Sequence, residues 1–329
     1  MQQALSIGII GLGVMGQRML ARLADHPRLR ASHVWDADPA AVARTLVAYP
    51  GLVAAAGADA LIATPGLASL YIATPPGPHM ALSNLAFDAG LAVLCEKPLT
   101  VDVDAARRTI ARIDQQGQRA AVNFSLASSP GLAALQAAWP HPGGTAPGVA
   151  PGALQGVQID LAFAAWPRPW QAAAGAWLAQ RAEGGFSREV LSHFIFVLQR
   201  VLGPATVLAS SPVYPADGLG AETALAAQLQ AGGVPVRVQA SVGGALDDFN
   251  RMAWHGEAGA LALSDWFGLQ QRLGAGDWQP LGDPSALRAE GQVAQLAQWV
   301  ALIEGRPHGL PGFAEALAVQ ETIEALLAG

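Results

Sequence analysis

The chain has 329 residues, enough for two domains that each bury a core of their own. Hydrophobic residues make up 52% of it and charged residues 13%, which excludes an intrinsically disordered chain. A net charge of −6 without any basic run excludes the concentrated positive surface that nucleic-acid binding needs. The single cysteine, Cys95, excludes an internal disulfide framework, and we expect it to be a buried thiol.

Two long stretches carry no formal charge, residues 60–87 and 120–159, but Pro and Gly interrupt both. Neither offers the roughly 20 unbroken apolar residues of a membrane-spanning helix. The first apolar run is short and leads into a glycine turn, so it predicts a strand rather than a signal peptide. We therefore expect a cytoplasmic protein that does not bind membranes.

Strand and helix patterns alternate over the first 120 or so residues. Helices are predicted from the first glycine turn to about residue 24, at 39–48, and from 102 or 104 to 116. The predicted strands are residues 6–10, 31–35, 70–73, 92–95 and 122–124. This alternation predicts a parallel sheet with helices on both faces.

The pattern changes after residue 123. Strands at 157–163, 225–229, 234–240, 252–254 and 261–263 lack intervening helices, and Ala231-Gly232-Gly233 predicts a hairpin turn. This half therefore predicts a mostly antiparallel sheet with helices at 188–201, 292–303 and 313–327. The Pro- and Gly-rich residues 141–152 predict a loop.

A dinucleotide fingerprint, Gly11-x-Gly13-x-x-Gly16, follows the first strand and opens the first helix. The first glycine permits a tight turn, the second permits close approach of a pyrophosphate, and the third permits helix–strand packing. The helix N-terminus offers free N–H groups to the phosphates. The remaining cofactor-binding residues of the turn are Leu12, Val14 and Met15.

An acidic residue, Asp36, ends the second strand, 20 residues after Gly16. A carboxylate there accepts hydrogen bonds from ribose hydroxyls and repels a 2′-phosphate, and Ala37 supplies no compensating charge. We therefore expect NAD, with NADP as the alternative. A plain loop-starting acid is the other interpretation of Asp36.

Two further strand ends are expected at the same edge of the sheet, where ligands bind. One carries Thr74 and Pro75, with His79 starting the next helix either as a cofactor contact or as a simple helix-start residue. The other carries Glu96 and Lys97, the only lysine beside eighteen arginines. A lysine ammonium can release and take up a proton, whereas an arginine guanidinium stays protonated. Lys97 is therefore a candidate catalytic residue.

In the second half, Glu189 and His193 are four residues apart on a predicted helix and therefore share a face. A carboxylate so placed can orient the imidazole, although a solvated face or a core histidine is the alternative. A zinc site is a poor rival, because the seven histidines include no pair four residues apart. No serine-hydrolase elbow surrounds Ser187. We expect no metal.

Substrate-binding candidates come from a Trp-Pro-Arg-Pro-Trp segment at residues 166–170. Its Trp170 offers a flat face to a sugar ring and Arg168 a guanidinium to a hydroxyl or carboxylate, unless the segment is a structural loop with buried tryptophan. Asn123 and Arg188 are weaker candidates.

These motifs together resemble the Gfo/Idh/MocA oxidoreductases. The resemblance is carried by the glycine fingerprint, Thr74-Pro75 with His79, Glu96-Lys97-Pro98 after its strand, and the Gly184-Gly185 … His193 helix, and it extends to the final helix. It implies a Rossmann dinucleotide-binding α/β domain, residues 1–123, and an α+β domain with a mostly antiparallel sheet, residues 124–329. Whether the last helix returns to the first domain is left open.

The resemblance also implies that Lys97 and His193 flank the nicotinamide. Glu189 stands where the family usually has Asp, and Phe196 where it often has a second Asp. Association through the outer face of the second sheet, as a homodimer or homotetramer, is implied as well.

We therefore expect an NAD(P)-dependent oxidoreductase that transfers hydride between nicotinamide and a secondary alcohol of a sugar-like or polyol substrate. His193 is the expected base, with help from Glu189, and Lys97 polarises the oxygen. The alternatives are a sensor that binds dinucleotide or sugar without turnover, a glycosidase that uses NAD transiently, and a structural or assembly protein without cofactor affinity.

Overall fold

The computed structural model describes residues 4–139, 152–244 and 247–329. The chain divides into two compact units, Met1–Phe124 with Leu296–Leu317, and Ser125–Gln295 with Ala318–Gly329. Residues 296–317 therefore group with the first unit, whereas the sequence analysis placed them in the second domain. All of the expected loop at 141–152 except Gly152 lies outside the described residues.

Six strands form the sheet of the first unit. They are β1 (Leu5–Ile10), β2 (Leu29–Trp35), β3 (Val53–Ala54), β4 (Leu67–Ile72), β5 (Ala92–Cys95) and β6 (Ala120–Val122). Their order is β3-β2-β1-β4-β5-β6, and every pair of neighbours is parallel. All of β5 is buried, as expected for a central strand covered by helices on both faces. The predicted parallel α/β domain is confirmed.

The helices of this unit begin at residues that suit a helix N-terminus. They are α1 (Val14–Leu23), α2 (Pro39–Ala48), α3 (Ala58–Ile62), α4 (His79–Asp88) and α5 (Val103–Gln116). The Asp38 carboxylate caps α2 by accepting a hydrogen bond from Ala40 N at 2.9 Å, and Asp102 caps α5 in the same way. Gly117 ends α5 in the left-handed region, with φ of 64°.

Eight strands form the sheet of the second unit, in the order β14-β13-β12-β11-β7-β10-β9-β8. They are β7 (Leu154–Phe163), β8 (Ala205–Val213), β9 (Ala224–Ala231), β10 (Val234–Val242), β11 (Phe249–Gly256), β12 (Gly259–Ser264), β13 (Gly268–Leu273) and β14 (Gln279–Pro280). Neighbours are antiparallel except β7 and β10. Buried and exposed residues alternate along β9, which indicates one covered face. The predicted mostly antiparallel sheet is confirmed.

The remaining helices are α6 (Pro130–Ala138), α7 (Ser192–Leu202), α8 (Pro284–Ile303) and α9 (Phe313–Ala328). A π-helical turn, Ser187–Leu191, leads directly into α7, where the sequence predicted a regular helix from residue 188. Two 3₁₀ turns, Pro169–Ala174 and Ala176–Ala179, precede it. Across the described ranges, no helix is both long and apolar enough to cross a bilayer.

Candidate functional site

The carboxyl edge of the parallel sheet gathers the candidate residues of the first unit. β1 lies between β2 and β4, so the strand order reverses there, and such a switch point is where open α/β sheets bind ligands. Gly11 follows β1, Asp36 follows β2, Thr74 lies two residues past β4, and Lys97 lies two residues past β5. The four residues predicted from separate motifs therefore share one edge.

The glycine turn has the shape that a pyrophosphate requires. Gly11 has φ of +95°, and a Cβ there would lie 2.5 Å from the Ala73 carbonyl group. A Cβ on Gly16 would lie 2.0 Å from the Gly11 oxygen, so α1 packs directly on the turn. Gly13 faces open space and is exposed, with Val14 and Met15 half-buried after it. A ligand can therefore reach the backbone at Gly13 and the first turn of α1.

Leu12 and Asp36 tie this turn to the end of β2. The Leu12 side chain is buried, and its backbone N–H donates to Asp36 Oδ2 at 2.6 Å. Asp36 Oδ1 accepts a hydrogen bond from Asp38 N at 2.7 Å. Each carboxylate oxygen keeps a second lone pair, so the half-buried Asp36 can still accept ribose hydroxyl donors.

Thr74 and Pro75 lie beside the glycine turn, while His79 does not face the edge. The buried Thr74 Oγ1 has no hydrogen-bond partner among the described residues, which fits a group that a bound dinucleotide completes. The His79 ring is wholly buried, with Nε2 2.9 Å from Thr74 O and Nδ1 3.2 Å from Leu99 O. Burial lowers the pKa of His79. These contacts favour the alternative in which His79 supports the Thr74 turn, and a cofactor contact stays a prediction.

A buried carboxylate lies next to Lys97. Glu96 accepts hydrogen bonds from the Tyr71 hydroxyl and from Asn123 Nδ2, the latter at 2.5 Å. Burial raises the pKa of Glu96, and these two donors oppose that rise. Lys97 itself is only half-buried, so its ammonium reaches the sheet edge while the Glu96 side chain does not. The Glu96 carboxylate is therefore held by Tyr71 and Asn123, and its expected cofactor contact stays a prediction.

Asn123, expected to bind substrate, belongs to the same network. It is 3% exposed, and its Nδ2 also lies 3.3 Å from the Tyr71 hydroxyl. These contacts make Asn123 a donor to the buried Glu96 carboxylate, and substrate binding by Asn123 stays a prediction. The sequence did not single out Tyr71, because a tyrosine in a buried strand can be a packing residue or a hydrogen-bond donor and the local pattern is the same in both cases.

In the second unit, the two consecutive glycines before the π-helical turn allow close backbone approach. A Cβ on Gly184 would lie 2.3 Å from the Trp177 oxygen, and a Cβ on Gly185 would lie 2.1 Å from Glu222 Oε2. Glu222 is 1% exposed and accepts a hydrogen bond from Ser187 N at 2.7 Å. A buried carboxylate thus caps the segment that carries Glu189 and His193.

His193 lies on α7 with 6% of its surface exposed. Its Nδ1 is 3.5 Å from Ser125 Oγ, and the ring meets the Trp266 indole edge-to-face at a centroid distance of 5.2 Å. Glu189 is half-buried in the π-helical turn. Trp266 lies 73 residues along the chain from His193, so no local pattern could predict the contact.

Arg188 is bound by groups of the protein. Its guanidinium forms two hydrogen bonds with the Glu324 carboxylate, at 2.7 Å each, and donates to the Arg181 and Gly184 carbonyl oxygens. Its pKa is raised by Glu324, against the effect of burial. Arg188 therefore forms an ion pair between the π-helical turn and α9, and its expected contact with a substrate stays a prediction.

Arg168 and Trp170 form an aromatic cluster. The Arg168 guanidinium lies 4.7 Å from the Trp170 ring centroid and 5.6 Å from those of Phe163 and Trp166. Its Nε donates to Gln171 Oε1 at 3.0 Å. Arg168 is 8% exposed whereas Trp170 is 46% exposed, so Trp170 is the member that solvent or a ligand reaches.

Over the parts of the chain that the structure describes, no three His, Cys, Asp or Glu side chains come together to hold a metal ion. Cys95 is buried, and burial raises its pKa well above the usual value. Its thiol is therefore unsuited to nucleophilic chemistry.

Comparison with known proteins matches residues 5–124 to the GFO_IDH_MocA family model, described as an oxidoreductase family with an NAD-binding Rossmann fold. Inositol 2-dehydrogenase from Arthrobacter sp. (strain FB24) is 31% identical over 120 residues, which are 36% of this chain and 36% of that protein. Inositol 2-dehydrogenase from Pseudomonas fluorescens is 33% identical over 140 residues, 41% of each chain. These matches cover less than half of the curated relatives.

Solved structures match over nearly the whole chain. An oxidoreductase from Agrobacterium radiobacter, in complex with NAD+, L-tartaric acid and magnesium, has a TM-score of 0.82 at 17% identity, covering 99% of this chain and 97% of that one. A 3-ketoreductase from Actinomadura kijaniata, in complex with NADP, has a TM-score of 0.78 at 18% identity, covering 99% and 98%. At such identities the likeness shows the fold.

Replacement of Asn123 tests its assignment to the Glu96 network. Asn123→Ala leaves a buried carboxylate short of a donor, so we expect the free energy of unfolding to fall by about 1–3 kcal/mol. Urea unfolding measures this change. A substrate contact would instead leave stability unchanged and raise KM for the substrate.

The burial of Glu222 predicts that the free energy of unfolding depends on pH. Burial raises its pKa above the usual 4.5, so the folded state holds its proton more tightly than the unfolded state does. The contribution of Glu222 to stability is therefore lost as pH rises from 4.5 through the raised pKa. Glu222→Gln keeps an acceptor for Ser187 N and should flatten this part of the pH–stability curve in urea unfolding.

The matched control for that measurement is Glu321→Gln, the same charge change on an exposed residue. It should leave the curve's shape unchanged. Equal flattening by both variants would contradict the effect that we assign to the burial of Glu222.

Proposed function

We propose that the chain is a Gfo/Idh/MocA oxidoreductase, as the family match over residues 5–124 supports, and that it reversibly oxidises a secondary alcohol of a sugar-like or polyol substrate with NAD. One observation carries the proposal: the only lysine of the sequence lies two residues past β5, at the same sheet edge as the glycine turn and Asp36. A lysine ammonium can exchange a proton and polarise an alcohol or carbonyl oxygen. A lysine beside a dinucleotide site therefore favours catalysis over binding alone.

The two candidate catalytic groups have separate tasks in this proposal. A bound NAD would supply the hydride acceptor for the carbon that bears the hydroxyl. His193 takes the hydroxyl proton as its general base, and Glu189 supports it. Lys97 donates a hydrogen bond to the same oxygen, which stabilises the negative charge that develops as the proton leaves.

Gly13 and the first turn of α1 bind the pyrophosphate in this proposal, and Thr74 Oγ1 completes its hydrogen bonding on the dinucleotide. Asp36 accepts the ribose hydroxyls and, by its charge, disfavours NADP. In substrate binding, the exposed face of Trp170 stacks on the ring of the substrate, and Arg168 holds the indole in place.

We further propose a cytoplasmic homodimer or homotetramer that associates through the outer face of the second sheet. The exposed positions of β9 and β10 support this, because apart from Arg237 they carry uncharged side chains such as Ala226, Gln228 and Gln239. Light scattering on the purified protein measures the assembly.

The experiment that tests the function is binding of NAD to the purified protein, followed by a panel of sugars and polyols monitored by nicotinamide absorbance. Formation of NADH with one of them supports the proposal. Cofactor binding without turnover would indicate a sensor, product formation without net NADH a redox glycosidase, and no cofactor binding would refute the proposal.

Two substitutions of Lys97 distinguish the role of its positive charge from that of its exchangeable proton. Lys97→Met removes the donor to the reacting oxygen, so we expect kcat to fall about 10²–10⁴-fold while the Kd for NAD changes little. Lys97→Arg keeps the charge but cannot trade a proton, and kcat should stay low. Steady-state kinetics and NAD titration measure both, and an unchanged kcat in Lys97→Met would remove Lys97 from the mechanism.

Cofactor choice should depend on Asp36. Asp36→Asn keeps an oxygen acceptor for the glycine turn but removes the charge that repels a 2′-phosphate. We expect the ratio of kcat/KM for NADP to that for NAD to rise about tenfold, since 1.4 kcal/mol of repulsion corresponds to that factor. Asp25→Asn removes an exposed charge away from the sheet edge and should leave the ratio unchanged.

A further inference from the structure

The tip of the β12–β13 hairpin is strained. Asp265 and Trp266 have φ of 47° and 72°, and they are the only non-glycine residues with positive φ in the described ranges of the chain. Side chains disfavour this conformation by about 1 kcal/mol or more per residue, and glycine would adopt it freely. Strain of this kind persists only where surrounding structure holds it, and it clusters at functional sites.

Asn250 on the neighbouring strand β11 holds the strained tip. Its Oδ1 accepts a hydrogen bond from Trp266 N at 2.8 Å, and its backbone oxygen accepts one from Asp265 N at 3.0 Å. Asn250 is 8% exposed, so both bonds are shielded from water. The turn is therefore fixed from outside the hairpin, and the direction of the Trp266 side chain is fixed with it.

The fixed indole lies against the candidate base. Its ring is 5.2 Å from the His193 ring with an interplanar angle of 80°, and 5.9 Å from Phe194 on the same helix. Edge-to-face packing of this kind is a preferred aromatic geometry. Trp266 is itself only half-buried, so filling a core does not explain why a tryptophan occupies a strained position.

We propose that Trp266 is a positioning residue for His193, and that Asn250 acts through Trp266. The indole blocks rotation of the imidazole and keeps its plane in the orientation in which it takes the substrate's hydroxyl proton. This inference rests on the proposed function only in naming His193 as the base; the contact itself requires neither cofactor nor substrate.

The first test observes the contact directly. In protein with ¹³C- and ¹⁵N-labelled histidine, His193→Gln identifies the His193 imidazole signals. We expect ring-current-shifted signals in the wild type, a partly retained shift in Trp266→Phe, and loss of the shift in Trp266→Leu. The matched control is Trp278→Leu, a half-buried tryptophan that packs on Arg251 at 4.1 Å and should leave the His193 signals unchanged.

The second test measures turnover. Trp266→Leu should lower kcat about 10- to 100-fold with an unchanged KM for the substrate, because misplacement of a reacting group costs rate rather than binding. Trp266→Phe should restore most of the loss. Asn250→Ala should resemble Trp266→Leu, and Asn250→Asp, which keeps the oxygen acceptor, should be close to wild type.

The outcomes separate the inference from the proposed function. Unshifted His193 signals in the wild type, or signals that Trp266→Leu leaves in place, overturn the inference whatever the activity. A raised KM with unchanged kcat also overturns it, because Trp266 would then be a wall of the substrate site. If the wild type oxidises no alcohol, the proposed function fails, and the NMR comparison alone decides whether Trp266 orients His193.

Discussion

In each of the two units, a buried carboxylate constrains the backbone near a candidate catalytic residue. Glu96 precedes Lys97 and needs donors from Tyr71 and Asn123, while Glu222 caps Ser187 before the helix of His193. A buried carboxylate without partners is costly, so these contacts dictate the backbone around them. The functional groups are thereby placed by polar contacts, while the surrounding apolar strands and helices supply stability.

Much of the fold follows from local sequence patterns. β5 is wholly buried, and its apolar run is easily recognised, as is the Asp38-Pro39 start of α2. β8 gave no strand signal, because it contains Pro212 and lies at the sheet edge, where alternation is weak and proline is tolerated. The π-helical turn was not predictable either, since the Glu222 side chain that accepts the hydrogen bond of Ser187 N comes from a distant part of the sequence.

The candidate site divides in the same way. Gly11 and Lys97 could be placed at the sheet edge from the sequence because a glycine turn and a position after a strand are both local features. Arg188, Asn123 and His79 were also expected to contact ligands, and the partners that the structure gives them are other groups of the protein. The partner of Arg188, for example, is 136 residues away, and sequence spacing carries no information about such a pair.

Lysine is otherwise absent from this chain, which makes the end of β5 chemically unique. An amine-directed reagent meets one side-chain amine in the whole sequence, and the proline that follows Lys97 protects that bond from trypsin-like cleavage. Isotope-labelled methyl groups added by reductive alkylation would therefore report on a single side-chain position. Because the other long basic side chains are all arginines, the signal of such a label comes from one half-buried side chain at the edge of the parallel sheet.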